Sequence, residues 1–225
     1  MIKPYQLIIL LLVTIYTISC GGSEVSSTSP NNNISSTYKE RNTGRDSWQK
    51  PELVIESMGN ISDKTVIDIG AGTGYFTFRL AFDAKKVIAA DIDPDMISLI
   101  ETFRSNLPSH LKEKIETRMV KPEDPMLSNG EADVAVIINT IGYINKPIEY
   151  LSLLQEVLSD DGQVVIVDFK KKYIEIDAPP LADRVSAIDI ERYLIEAGFS
   201  QVTINEERLD YQYLVTGIKT STKVQ

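Results

Sequence analysis

Cysteine and histidine occur once each in the 225 residues, and each scarcity excludes something. A lone Cys20 leaves no intrachain disulfide. With His110 as the sole histidine, a two-histidine metal site is excluded, and no metal is expected. Positive charge is in deficit as well. Lys and Arg number 23 against 32 Asp and Glu, a net −9 that argues against a nucleic-acid partner because most surfaces would repel phosphate. Lys170-Lys171-Lys172 is a local exception, and so short a run reads as a solvated loop. No apolar run is long enough for a membrane-spanning helix. Leu7 to Ile18, uncharged and interrupted only by Thr14 and Thr17, has about twelve residues. What is present is a composition 43% hydrophobic, enough for one domain with a full core.

The stretch Val66-Ile67-Asp68-Ile69-Gly70-Ala71-Gly72-Thr73-Gly74-Tyr75 organises that domain. A β-branched apolar run ends on a glycine turn, and an amphipathic helix pattern follows at once in Phe76, Phe78, Leu80 and Ala81. Strand, glycine turn and helix start together bring backbone N–H groups close to a ligand. Gly70 and Gly72 leave no Cβ in the ligand's way, and Gly74 lets the helix pack closely. About twenty residues on, Val87-Ile88-Ala89-Ala90 ends on Asp91, the acidic position suited to a ribose diol. A dinucleotide fingerprint reads G-x-G-x-x-G, whereas this turn reads G-x-G-x-G. Asp68 sits where a carboxylate can meet a ligand ammonium, so ribose plus an amino-acid head, without pyrophosphate, suits the pattern better.

The remaining elements alternate. Asp46 or Ser47 is expected to cap a helix with Pro51 in its first turn and Gly59 past its end. Strands are expected over 86–91, 114–120 and 132–139, and again from Val164 to Val167 after an Asp161-Gly162 turn. Asp93-Pro94 opens one helix, Pro147 a second, and Ile188 to Ala197 forms a third with Gly198 at its end. Val202–Ile204 and Tyr211–Thr216 read as a closing hairpin. Such alternation predicts an α/β, Rossmann-like doubly wound sheet, mostly parallel.

The glycine turn resembles motif I of the class I S-adenosylmethionine-dependent methyltransferases, and Asp91 matches that family's motif II acid. The resemblance runs from Trp48-Gln49 through Glu123-Asp124-Pro125 and Asn139-Thr140 to Val167-Asp168-Phe169 and Ala197-Gly198-Phe199. It implies a seven-stranded sheet with an antiparallel C-terminal hairpin over residues 45–218, followed by a tail at 219–225. It implies S-adenosylmethionine as cofactor, contacted by Asp68, Gly70, Ala71, Gly72, Thr73, Gly74, Asp91, Ile92, Glu123, Asp124, Asn139 and Thr140. Glu123 and Asp124 would accept the adenine amino group, and Asn139-Thr140 would face the methionine end. Trp48-Gln49-Lys50-Pro51 is similar to an N-terminal segment that lies over the donor site in some small bacterial members; the alternative is that Trp48 only staples a helix to the core. Where those members carry a histidine pair, this chain has Gly142-Tyr143, so no catalytic residue is assigned. Tyr75 and Tyr143 are candidates to contact the sulfonium or the acceptor, or else wall packing; Asp168 is a base or a capping group.

Lys3, the apolar run and Ser19-Cys20-Gly21 resemble a bacterial lipoprotein signal, although Thr17 stands where leucine is preferred. The resemblance implies a signal peptide over 1–19, a lipid on Cys20, and a tether over 20–44 rich in Ser, Thr, Asn and Gly. The expected protein is then a membrane-anchored, extracytoplasmic lipoprotein whose methyltransferase domain acts on a small-molecule or protein acceptor. Export would put the domain where the donor is not made. A non-catalytic binding or scaffold lipoprotein with the same fold is therefore the alternative, and a nicotinamide-dependent oxidoreductase is disfavoured by the glycine spacing.

Overall fold

A computed structural model describes residues 42–219. The expected signal peptide over 1–19, the expected lipid site at Cys20, the part of the expected tether up to residue 41 and the expected tail from residue 220 lie outside the described residues. Seven strands form one sheet: β1 Thr65–Ile69, β2 Lys86–Asp91, β3 Ile115–Met119, β4 Ala132–Ile138, β5 Leu158–Phe169, β6 Phe199–Asn205 and β7 Gln212–Lys219. Their order is β3-β2-β1-β4-β5-β7-β6. The pairs β1–β2, β1–β4, β2–β3 and β4–β5 are parallel, while β7 runs antiparallel to both β5 and β6. The doubly wound, mostly parallel sheet with an antiparallel C-terminal pair is thus the observed fold.

Alternation along the strands builds two apolar layers. Val66, Val87, Val136, Val165 and Leu214 face one side with Phe78, Leu80, Ile100 and Phe103 from α3 (Thr77–Asp83) and α4 (Pro94–Ser105). Ile67, Ile88, Ile137, Ile166 and Tyr213 face the other with Leu151, Leu154, Ile190 and Leu194 from α6 (Pro147–Val157) and α7 (Ala187–Glu196). The central strands are covered on both faces, which is why β4 is a nearly continuous apolar run. Asp93 caps α4 by accepting from the Asp95 N–H at 2.9 Å, and Ser186 does the same for α7 through Asp189 at 3.2 Å.

Three expectations shift. The helix expected from Asp46 through Pro51 is two pieces, α1 Arg45–Gln49 and α2 Pro51–Glu56, with Lys50 between them in the left-handed region at φ 48°. Proline disfavours helical conformation in its predecessor, so the chain breaks at Lys50. Neither piece has a side-chain cap; Asp46 instead pairs with Arg79 at 2.6 Å. Strand β5 starts at Leu158 and carries Asp161 at φ 59°, rather than starting after an Asp161-Gly162 turn. Ordered structure begins before Arg45, since Asn42 Nδ2 donates to Thr73 Oγ1 at 2.9 Å, and β7 continues to Lys219.

The third glycine of the turn is a packing glycine. Gly74 has φ 79°, and a Cβ there would lie 2.6 Å from the Phe78 ring and 3.2 Å from Ile100 Cγ1. Left-handed strain and a displaced core ring together predict that Gly74→Ala costs about 2–4 kcal/mol. Urea unfolding should show a lower midpoint with unchanged slope; an unaltered midpoint would contradict the packing role.

Candidate functional site

The carboxyl ends of β1, β2 and β4 converge on two hollows that share Gly70, Gly72, Asn139 and Thr140. Order in the sheet reverses between β1 and β4, where doubly wound proteins leave a crevice. The first hollow, about 190 Å³, is walled by Arg45, Asp68, Ala71, Thr73, Tyr75, Phe76 and Ile138 in addition to the shared residues. The second, about 390 Å³, adds Ile69, Asp91, Ile92, Asp93, Met96, Val120, Lys121, Pro122, Tyr143, Ile144 and Tyr150. Positive φ at Gly70 (70°) and Gly72 (55°) turns the chain back sharply enough to open this space. A Cβ on Gly70 would strike the Thr140 side chain at 2.5 Å, so the β1 turn and the end of β4 can be neighbours only with glycine there.

Asp91 fixes the turn. Its Oδ2 accepts the Gly72 N–H at 2.7 Å and its Oδ1 accepts the Asp93 N–H at 2.9 Å. One carboxylate thereby ties the glycine loop to the exit of β2 while lining the second hollow. The backbone N–H groups of Gly70 and Ala71 donate to the Ala90 carbonyl at 2.8 and 3.0 Å and complete the attachment.

Asp68 lies at the other end. It is buried and accepts a hydrogen bond from Thr77 Oγ1 at 2.7 Å, a hydroxyl in the first turn of α3. Burial pushes its carboxyl from the ordinary 3.8 up to about 6, partly offset by the Thr77 hydrogen bond and the Arg45 charge. Asn139 has φ 56°, a conformation that asparagine tolerates, and its Oδ1 accepts from Nε2 of the fully buried Gln212 on β7. Tyr75 lines the first hollow with its ring packed between Arg45 and Arg79, whose guanidinium carbons lie 4.1 and 3.8 Å from the ring centroid. Its hydroxyl donates to Asp46 Oδ1.

Of the residues singled out by sequence, Asp68, Gly70, Ala71, Gly72, Thr73, Asp91, Ile92, Asn139 and Thr140 line these two hollows. Gly74 does not, being packed beneath Phe78. Glu123 lines a third hollow of about 530 Å³ that adjoins the second at Pro122, Ile144 and Tyr150. Asp124 is turned into its own loop, where Oδ1 accepts the Met126 N–H at 2.7 Å. Asp168 lies outside both hollows; its Oδ1 accepts the N–H of Phe169 at 2.7 Å, and burial raises its carboxyl to about 6. Trp48 packs on Phe169 with ring centroids 5.7 Å apart. Tyr143 is 75% exposed at the rim of the second hollow. Sequence reading missed Arg45 and Gln212. Arg45 precedes the Trp48-Gln49 segment with no motif of its own, and Gln212 reaches the site only through strand pairing.

A family model described as a methyltransferase domain matches residues 49–204. The ribosomal RNA small subunit methyltransferase A of Leuconostoc citreum (strain KM20) is 34% identical over 119 residues, covering 51% of this chain and 39% of that protein. Demethylmenaquinone methyltransferase of Lactococcus lactis subsp. lactis (strain IL1403) is 29% identical over 149 residues, 61% of this chain and 56% of that one. The chain therefore spans well under two thirds of the length of these curated relatives. A solved SAM-dependent methyltransferase from Aquifex aeolicus superposes with TM-score 0.72 at 21% identity, over 82% of this chain and 98% of that one, a likeness of fold. With more than half of its length matched by the family model, the chain belongs to the methyltransferase-domain family.

Proposed function

We propose that this protein transfers a methyl group from S-adenosylmethionine to a small-molecule or protein acceptor. The observation that carries the proposal is the pair of hollows joined at the glycine turn, with Asp68 at one end and Asp91 at the other. The residues suit the donor. Gly70 and Gly72 expose backbone at the joint, Asp91 and Ile92 flank the larger hollow, and Ala71, Thr73, Asn139 and Thr140 border the smaller. Asp91 would hold the ribose hydroxyls and Asp68 the ammonium, while Glu123, on the adjoining hollow, would approach the adenine edge. When bound, the donor supplies a methyl carbon already activated by a sulfonium. The chain's own task is alignment and exclusion of water, worth several kcal/mol when donor and acceptor are held in line. No base has been assigned, and none is required when the acceptor is a neutral amine or an ionised thiol or carboxylate.

The acceptor is read as something other than nucleic acid, since the net charge is −9. We further propose that the protein is an extracytoplasmic lipoprotein anchored through Cys20. Support lies in the apolar run ending at Ser19-Cys20-Gly21. Among the described residues no helix is long and apolar enough to cross a membrane.

Asp91→Ala is expected to weaken donor binding by about 1–3 kcal/mol through lost charge-assisted hydrogen bonds. Titration calorimetry reads this, and wild-type affinity in the variant would refute the assigned ribose contact. The acid on β1 gives a pH dependence. A carboxyl whose folded value (about 6) lies above its ordinary 3.8 stabilises the fold when protonated. That contribution is complete below about 3.8 and disappears as pH rises through about 6. Donor binding has the opposite sense, because only ionised Asp68 attracts an ammonium. Affinity should rise as much as roughly tenfold per unit up to about pH 6 and level off above it. Asp68→Asn should flatten the profile; an equally steep curve in that variant would exclude Asp68 as its source. Cys20→Ser should leave the precursor unprocessed or release the protein from the membrane fraction, and unchanged mass and fractionation would rule out the lipid anchor.

A further inference from the structure

The two hollows share Asn139, the first residue after β4, and a residue of another strand holds its side chain. Gln212 opens β7, pairs in register with Phe169 at the end of β5 and is fully buried. Its Nε2 donates to Asn139 Oδ1. The Asn139 backbone is fixed as well, since its N–H donates to the Val167 carbonyl at 2.9 Å and its φ is 56°. Backbone and amide are thus both set from the β5–β7 side of the sheet, and the amide has one preferred sense. Turning both carboxamides over would make Asn139 the donor and leave the buried Gln212 Nε2 unpaired. In the observed sense the unpaired atom is Gln212 Oε1. A buried oxygen without a partner is tolerated more often than a buried N–H without one. With Oδ1 engaged, Asn139 has its Nδ2 donor left to offer where the hollows meet.

We propose that Gln212 is a positioning residue for methyl transfer, holding the Asn139 amide with its N–H toward the acceptor, and that the acceptor is a carboxylate. This rests on the methyl-transfer reading given above and narrows it. Three acceptors need no base: a neutral amine, an ionised thiol and a carboxylate. In an amine or a thiolate the only atom a donor can hold is the one that attacks, and a hydrogen bond to it lowers its reactivity. A carboxylate has two equivalent oxygens, so one accepts from Asn139 Nδ2 while the other attacks. The attacking oxygen's lone pair forms the O–CH3 bond as the C–S bond breaks and its pair goes to sulfur. A methyl ester and S-adenosylhomocysteine result, the negative and positive charges cancel, and no proton moves. Asp68 faces the donor's ammonium and Asp91 its ribose in that reading, so the charge nearest the acceptor is the sulfonium.

The test uses the purified full chain, S-adenosylmethionine labelled in its methyl group, and an unfractionated bacterial cell extract as the source of acceptors, with a blank lacking the protein subtracted. Base releases labelled methanol from methyl esters, and leaves N-methyl and S-methyl products intact. Wild type should give label that base releases. Gln212→Met keeps the bulk of the side chain without its donor. It should lower the rate at saturating donor by roughly fivefold or more and change the KM for S-adenosylmethionine by less than about twofold. A second reading needs no turnover. In nitrogen-15 NMR of the ligand-free protein, the Asn139 carboxamide signals, identified by their loss in Asn139→Asp, should be displaced in Gln212→Met. Base-stable label would overturn the carboxylate assignment and leave methyl transfer standing. An unchanged rate, an unmoved carboxamide, or a loss confined to KM would overturn the role of Gln212. No label from wild type would remove the methyl-transfer reading, and this proposal with it.

Discussion

One carboxylate determines whether this site exists. A glycine turn is floppy by composition, because residues without Cβ lose the most freedom on folding. Here the Asp91 side chain grips the Gly72 N–H, and its other oxygen grips Asp93 at the start of α4. The strand β2 that carries Asp91 is itself clamped between β1 and β3. Rigidity therefore passes from the centre of the sheet into the turn through the Asp91 side chain together with the Ala90 carbonyl. The two hollows take their shape from that attachment. Any group that binds there meets a backbone already set in place, which spares part of the ordering entropy.

The same geometry explains why so much of the fold could be read from residues. Strands β1, β2 and β4 are buried on both faces, so their apolar runs are nearly uninterrupted, and the glycine spacing marks the joint between them. Helices α4 and α7 begin at side-chain caps, which are local and visible. The failures have physical causes as well. Lys50 breaks the first helix because of Pro51, and the caps expected of Asp46 or Ser47 are absent because Asp46 is taken by Arg79 and Tyr75. Asp161, expected in a turn, lies in a bulge of β5: pairing with β4 stops after Leu158 and resumes at Gln163, and Asp161 takes φ 59° between them.

The site was legible where contact is local and illegible where it is tertiary. Residues 68–73 and 91–92 are motif positions, and all of them except Ile69 were assigned from sequence; Ile69 lines the larger hollow too, one residue before the first glycine. Gln212 lies 73 positions from Asn139 and meets it only because β7 inserts beside β5. Arg45 reaches Tyr75 because α1 folds back over α3, a placement with no periodic signature. Asp124 illustrates the reverse error. Its residue type fits a nucleobase contact, but its own loop satisfies it first.

The distribution of charge separates what the chain invests in the two ends of its crevice. Asp68 and Asp91 are buried and hydrogen-bonded, Asp68 by Thr77 of α3 and Asp91 by the Gly72 and Asp93 N–H groups, whereas the exposed rim offers Tyr143 at 75% exposure and no histidine. His110 is exposed on the short helix α5 (Ser109–Lys112), before β3, at the end of the sheet opposite the hollows. Asp168, raised to about 6 by burial, is turned onto its own backbone. The same rim carries the Asp93 carboxylate and the Lys121 amine, which border the larger hollow. Under the proposed methyl transfer, an acceptor already nucleophilic at neutral pH would need only alignment, whereas an alcohol would need a base such as a rim carboxylate.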